Sequence, residues 1–69
     1  MVGATVMIER RNGQTIQVRN NSADDYRMEQ MQQRGWIPSG ELCCRLGIPL
    51  IGSELTELRI SEVQWASNL

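Results

Sequence analysis

Apolar and polar residues alternate in two short stretches on either side of a turn signal. Val6 and Ile8 precede an Asn-Gly pair at 12–13, and Ile16 and Val18 follow it. An Asn-Gly pair between two alternating stretches is typical of a β-hairpin turn. The pattern therefore predicts an antiparallel hairpin as the first element of the chain.

The register of this hairpin follows from which side chains share a face. A two-residue loop would place Ile8 opposite Gln17 and would mix polar and apolar side chains on each face. A three-residue loop at 11–13, with its glycine in a left-handed conformation, places Ile8 opposite Ile16. Because a slip of one residue moves every side chain to the other face, burial favours the three-residue loop. The predicted buried face consists of Val6, Ile8, Ile16 and Val18.

Residues 23–34 carry apolar side chains at roughly helical spacing, and the flanking residues match helix ends. Ser22 can cap the helix start, with Asp25 in the position of a capping-box acid. Gly35 is a natural stop after the last turn. We predict one helix at about 23–34, whose outward face carries Arg27, Gln30 and Arg34.

The C-terminal half gives a less regular pattern. Residues 41–46 fit either a strand or a turn of helix, and the glycines and proline at 47–52 break whatever surrounds them. Leu58 and Ile60 then alternate with polar residues, as in a strand. The alternation slips at 61–62, which predicts a β-bulge or one turn of 3₁₀ helix.

A helix-turn-helix unit is a competing interpretation of residues 39–58. Leu42, Leu46 and a turn at Gly47 fall on the expected positions. Pro49 and Gly52, however, lie where the second helix should begin. Ser53 and Thr56 occupy its apolar positions, so that helix would have little apolar surface with which to dock. We therefore do not favour this motif.

Composition limits the stability of the domain and the chemistry available to it. The chain has 69 residues and is expected to form a single domain, 1–69, in which only about 60% of the unfolded surface becomes buried. It has two adjacent cysteines, 43 and 44, and no histidine, so neither a disulfide nor a metal site is expected. We expect reduced cysteines, no cofactor and no enzymatic activity, with no catalytic or metal-binding residues. A second subunit is the remaining source of added stability, and a homodimer is favoured.

Net charge and hydropathy give two further expectations. The net charge is −1, which argues against a protein held to nucleic acid mainly by phosphate contacts. All seven cations are arginines, a choice that fits either bidentate recognition or codon bias in a GC-rich genome. No apolar run approaches the roughly 20 residues of a membrane helix, and no charged start precedes an apolar stretch, so we expect a cytoplasmic protein without membrane contact.

Two segments carry a resemblance to known proteins. The stretch 6–18, "VMIERRNGQTIQV", and the stretch 56–66, "TELRISEVQWA", resemble the opening and closing strands of small SH3/Sm-like β-barrels, including the Rho-inhibitor family Rof. This chain departs from them by placing the predicted helix after the second strand. The resemblance implies a curled antiparallel sheet and carries over no functional residues.

Together these observations predict an α+β domain: a curled antiparallel sheet of four or five strands, with an SH3/Sm-like tendency and one helix at about 23–34. The favoured function is a small non-enzymatic protein-interaction module that self-associates, and another protein is an alternative partner. The less favoured function is a nucleic-acid-binding or transcription-related regulator that uses an arginine patch.

We expect the hairpin-tip arginines, 10 and 11, to be exposed and insufficient by themselves to bind nucleic acid. Candidate partner or nucleic-acid contacts are Arg10, Arg11, Arg19, Arg27 and Arg34. Candidate self-association residues are Met28, Met31 and Trp65.

Overall fold

The computed structural model describes residues 3–66, which form four strands and two helices. In chain order the elements are β1 (Ala4–Arg10), β2 (Thr15–Asn20), α1 (Asp25–Arg34), β3 (Ile37–Pro38), α2 (Ser39–Leu46) and β4 (Glu57–Trp65). The strands form one antiparallel sheet in the order β2-β1-β4-β3. No helix in these residues is long and apolar enough to cross a membrane.

The predicted α+β class and antiparallel sheet are confirmed, and the sheet has four strands where four or five were expected. Two finer expectations are not confirmed. Within residues 3–66 the sheet is open, with β2 and β3 as its edges, so the SH3/Sm-like tendency is not confirmed. The expectation of one helix is corrected by α2, which forms from the segment that fitted a strand or a helix turn.

The hairpin register agrees with the prediction. Ile8 lies opposite Ile16, and Val6 lies opposite Val18. The loop closes through a hydrogen bond from the Gly13 N–H to the Arg10 carbonyl (2.9 Å), and Gly13 has a φ of 88°. Burial on this face is uneven: the β1 residues are fully buried, whereas those of β2 are half-buried.

Helix α1 begins two residues later than predicted. Asp24, and not Ser22, is the N-cap, and its carboxylate accepts a hydrogen bond from the Arg27 N–H at 2.9 Å. Tyr26, in the first turn of α1, is 70% exposed. Gly35 ends the helix as predicted, with a φ of 76°.

Helix α2 follows the two-residue strand β3 and is amphipathic despite its length of eight residues. Leu42, Cys43 and Leu46 are buried, and Gly47 ends the helix in a left-handed conformation with a φ of 69°. Residues 48–56 form no second helix, so the helix-turn-helix interpretation has no recognition helix in this segment.

The predicted phase slip in β4 is a β-bulge. Ile60 lies opposite Ile8, but Glu62 lies opposite Met7, which leaves Ser61 as an extra residue. The Ser61 hydroxyl donates to the Met7 carbonyl oxygen at 3.2 Å. The bulge restores the alternation, so residues on both sides of it direct their apolar side chains toward the same core.

The core lies between one face of the sheet and the two helices. Its buried apolar members are Ala4, Val6, Ile8, Met28, Met31, Ile37, Leu42, Cys43, Leu46, Leu58 and Ile60. Helix α1 packs on β4, and α2 packs on β3 and β4. The helices therefore pack mainly on the other strands, and they cover β2 less.

Candidate functional site

The hairpin tip brings Arg11 against Glu57, the first residue of β4, and against Trp36. Its Nη2 lies 2.9 Å from a carboxylate oxygen of Glu57, and its guanidinium lies 4.2 Å from the centre of the Trp36 ring. The guanidinium of Arg59 lies 5.0 Å from the same ring centre, and Arg59 also pairs with Glu9 at 2.5 Å. Two arginines thus lie over one half-buried tryptophan, and each pairs with a glutamate, so the charges balance.

Arg10 differs from the expectation of an exposed side chain, because it is only partly exposed. Its Nη1 donates to the Gln14 side-chain oxygen at 3.0 Å, while its Nε is buried and has no hydrogen-bond partner within residues 3–66. Arg10 and Arg11 line a shallow cleft of about 320 Å³ together with Asn12, Gly52 and Thr56. The hairpin-tip arginines are therefore partly engaged by their own domain.

A second group of arginines lies between the two helices. Arg27 and Arg34 of α1 face Arg45 of α2 across a groove of about 470 Å³. Gln30, Met31 and Gln33 complete the lining. Arg45 was not among the residues chosen from sequence, because its position has meaning only once residues 39–46 form a helix.

Glu41 is the carboxylate associated with this groove. Arg34 binds it through two nitrogens, with Nη1–Oε1 at 3.0 Å and Nη2–Oε2 at 3.3 Å. Arg45 is more distant, since its Nε lies 3.8 Å from Oε1. Hydrogen bonding from Arg34 holds the pKa of Glu41 below its usual value, and the same bonds raise the pKa of Arg34. One acid therefore partly offsets three cations.

Arg27 has a weaker contact than Arg34. Its Nη1 lies 3.5 Å from the main-chain oxygen of Arg45, and this distance is at the upper limit for a hydrogen bond. No carboxylate lies within ion-pair distance of Arg27 in the described part of the chain. Arg27 and Arg45 thus line the groove with guanidinium donors to which no carboxylate of residues 3–66 is hydrogen-bonded.

Arg19 lies apart from both groups, on the edge strand β2. Its Nε donates to the Asn21 side-chain oxygen at 3.0 Å, and the side chain is exposed. The five arginines chosen from sequence therefore divide among the hairpin tip, the edge strand and the helix groove.

The predicted self-association residues also divide. Met28 and Met31 are 1% and 3% exposed and belong to the core, so their packing is satisfied inside one chain. Trp65 is 40% exposed and lines a surface depression with Val63 of β4 and residues of α1. Trp65 is the member of this set that offers substantial surface to a partner.

The outer edge of β2 is the feature that sequence reasoning missed. Within residues 3–66 no strand pairs with this side of β2, and its apolar residues Ile16 and Val18 are only half-buried. The hairpin register could have indicated the face of these residues, but not that the helices would cover the other strands.

Acidic and sulfur side chains do not gather into a metal centre in residues 3–66, because no group of three potential ligands is close enough. Cys43 is buried, Cys44 is exposed, and both are free thiols. Comparison of the chain with protein-family models, with curated proteins and with solved structures found no match.

Proposed function

We propose that this protein is a small non-enzymatic protein-interaction module that self-associates through the outer edge of β2. The observation that carries the proposal is a strand edge that no strand of residues 3–66 pairs with, together with two half-buried apolar residues, Ile16 and Val18. An exposed strand edge is a template for pairing with another strand, and main-chain hydrogen bonds then supply much of the affinity.

The hairpin hydrogen bonds identify which main-chain groups face outward. The Arg10 N–H donates to the Gln14 carbonyl at 2.8 Å, so this pair is of the hydrogen-bonded type. Hydrogen-bonded and non-hydrogen-bonded pairs alternate along an antiparallel ladder. The N–H and C=O groups of Thr15, Gln17 and Arg19 therefore point away from β1, toward the open side of the sheet.

A two-fold axis at Gln17 satisfies these groups in a second copy of the chain. Gln17 then pairs with its equivalent, and Thr15 pairs with Arg19 of the other copy. Ile16 comes to lie opposite Val18 of the other copy, on the face that carries the helices. No like charges meet, because Arg19 is the only charged residue of β2.

Such pairing also meets the energetic need of a small domain. A core of this size rarely contributes more than about 3–5 kcal/mol, so the additional burial of Ile16 and Val18 is a useful gain. A two-fold dimer is the commonest closed assembly, and its two contacting surfaces are the same. The dimer would contain one continuous eight-stranded sheet.

Protein contact is favoured over nucleic acid by the position and pairing of the arginines. Arg11 and Arg34 each bind a glutamate of the same chain. The candidate arginines line separate surfaces, and the net charge of the chain is −1. A protein held to nucleic acid by several phosphate contacts needs its cations free and on one surface.

The test is the variant Gln17→Pro. Proline removes the outward N–H and adds a ring at the edge, but it leaves the β1–β2 hydrogen bonds in place, since the N–H of residue 17 does not point toward β1. Gln17→Thr is the matched control, because it keeps the N–H and suits a strand. Sedimentation equilibrium should give twice the 7.9 kDa chain mass for the wild type and Gln17→Thr, and the chain mass for Gln17→Pro.

Circular dichroism must show that Gln17→Pro keeps the wild-type secondary structure. A wild-type protein that remains monomeric throughout the micromolar range contradicts the proposal. A dimer that survives Gln17→Pro and dissociates on Trp65→Ser would also contradict it, because the contact would then lie on β4 and not at the edge of β2.

A further inference from the structure

We infer that the groove between α1 and α2 binds an acidic peptide segment of a partner protein. This inference extends the proposed protein-binding role to a second surface, separate from the edge of β2. It rests on the geometry of Arg27, Arg45 and the residues between them.

Charge complementarity is the first argument. Three guanidinium groups line the groove, and Glu41 lies within ion-pair distance of two of them, Arg34 and Arg45. Glu41 is held by Arg34 through two nitrogens and leaves Arg45 beyond hydrogen-bond distance. Arg27 and Arg45 are thus placed to bind a carboxylate from outside the chain.

The Arg34–Glu41 contact shows the type of bond that the groove can form. A guanidinium presents two parallel N–H donors that match the two oxygens of a carboxylate, and such charge-assisted bonds are among the strongest in proteins. Arg27 and Arg45 come from different helices, and the Arg27 Nη1 lies 3.5 Å from the Arg45 carbonyl oxygen. Their closeness allows one acidic side chain to contact both.

The amides of the groove favour a peptide over a free anion. The side-chain nitrogen of Gln30 donates to the Tyr26 hydroxyl at 2.8 Å, and that of Gln33 lies 3.5 Å from a Glu29 oxygen. The nitrogen ends are thereby held by α1, and the amide oxygens remain as acceptors. Peptide N–H groups can donate to such oxygens, whereas a phosphate or a free carboxylate brings no N–H donor.

The position of the arginines near helix ends does not by itself account for this arrangement. Arg34 and Arg45 lie in the last turns of α1 and α2, where a cation stabilises the helix dipole. Arg27, however, lies in the first turn of α1, where a cation is unfavourable. Its Nη1 instead contacts the Arg45 carbonyl in the last turn of α2 at 3.5 Å, which uses one of the five N–H donors of the guanidinium and leaves the others for a ligand.

The binding experiment uses a fluorescein-labelled peptide of alternating glutamate and alanine, followed by fluorescence anisotropy at low and physiological salt. The same peptide with glutamine in place of glutamate is the ligand control. Arg27→Gln/Arg45→Gln is the test variant, and Arg19→Gln/Arg11→Gln removes the same charge outside the groove. We expect the test variant to weaken binding about tenfold or more and the control variant to weaken it less than about twofold.

A gain of affinity provides a second test. Glu41→Gln removes the internal carboxylate and releases the guanidinium of Arg34 for the ligand. This variant should bind the glutamate peptide several-fold more tightly than the wild type does. Equal or weaker binding by a folded Glu41→Gln variant would contradict the inference.

Other ligands decide the identity of the occupant. Labelled oligothymidylate that binds more tightly than the peptide, and that is lost in the test variant, would assign the groove to nucleic acid. Displacement of the peptide by inorganic phosphate, beyond the effect of chloride at equal ionic strength, would make it a general anion site. An equal loss of peptide affinity in both arginine variants would show that binding depends on net charge and not on the groove. Each result would overturn the peptide assignment.

The groove and the edge of β2 can fail independently. Gln17→Pro should lose the dimer and keep the peptide affinity, whereas Arg27→Gln/Arg45→Gln should keep the dimer and lose the peptide. Peptide binding that disappears together with the dimer in Gln17→Pro would contradict a site contained within one chain.

Discussion

The buried side-chain amide of Asn20 donates a hydrogen bond to the carbonyl oxygen of Leu46, with 3.1 Å between the two atoms. Asn20 ends β2, and Leu46 ends α2, so one polar side chain joins two elements far apart in sequence. The Asn20 amide oxygen also accepts from the Ser22 N–H at 3.2 Å. The last carbonyls of a helix have no partner inside the helix, and Asn20 supplies one for α2.

Asn20→Ala should lower the free energy of unfolding by about 1–3 kcal/mol, because it leaves the Leu46 carbonyl and the Ser22 N–H without their partner. Asn21→Ala is the matched control, since Asn21 is an exposed neighbour. Urea denaturation of both variants measures the difference. Equal stabilities would show that water replaces the Asn20 contacts without cost.

Gly13→Val should destabilise the protein by more than about 1 kcal/mol, because a β-branched residue is strained at the observed φ of 88°. A Cβ atom at this position meets no neighbour within 4 Å, so the expected cost comes from the backbone alone. Gly13→Asn is the control, because asparagine tolerates positive φ better than valine does. Thermal unfolding compares the two, and an equally stable Val variant would disprove the strain.

The two cysteines should respond differently to a thiol reagent. Cys44 is exposed and should react in the native protein, whereas Cys43 is buried and should react only after denaturant is added. Cys43→Ser should cost about 1–3 kcal/mol through burial of a hydroxyl, and Cys44→Ser should have little effect. A melting temperature that falls markedly on reduction would instead reveal a disulfide.

Acid should weaken the protein through Glu41. Its pKa is below its ordinary value of 4.5 in the folded state, chiefly because it accepts hydrogen bonds from Arg34. The unfolded chain therefore binds the proton more readily, and the contribution of Glu41 is complete above about pH 4.5 and is lost as the pH falls through the folded-state pKa. Glu41→Gln should flatten the decline of stability in that window. Glu54→Gln, which removes an exposed carboxylate outside any ion pair in residues 3–66, should leave the decline unchanged.

The parts of the fold that were predictable are those in which burial alone selects the answer. The hairpin register and the bulge in β4 both follow from alternation, because a strand with one buried face cannot slip without exposing Ile8 or Ile60. The short helix α2 could not be separated from a strand, since six residues contain too few periods to distinguish 3.6 from 2. Its assignment depends on tertiary packing of Leu42 and Leu46.

The candidate site was less predictable than the fold for the same reason. Arg27 and Arg34 were identified from the outward face of one helix, but the groove requires a second helix to place Arg45. Met28 and Met31 were considered as contacts to a partner, and packing inside the chain buries them instead. Side-chain type indicates what a residue can bind, and only the arrangement of elements decides whether it faces solvent.

The bulge at Ser61 has an evolutionary consequence. Ser61 has no partner residue on β1, so its deletion would convert β4 into a regular strand while Ile60 and Val63 kept their present neighbours. A deletion next to Leu58 would instead invert the faces of one part of the strand. Position 61 is therefore where a lineage of this chain can lose a residue from its central sheet, and length variation in the β4 of its descendants should concentrate there.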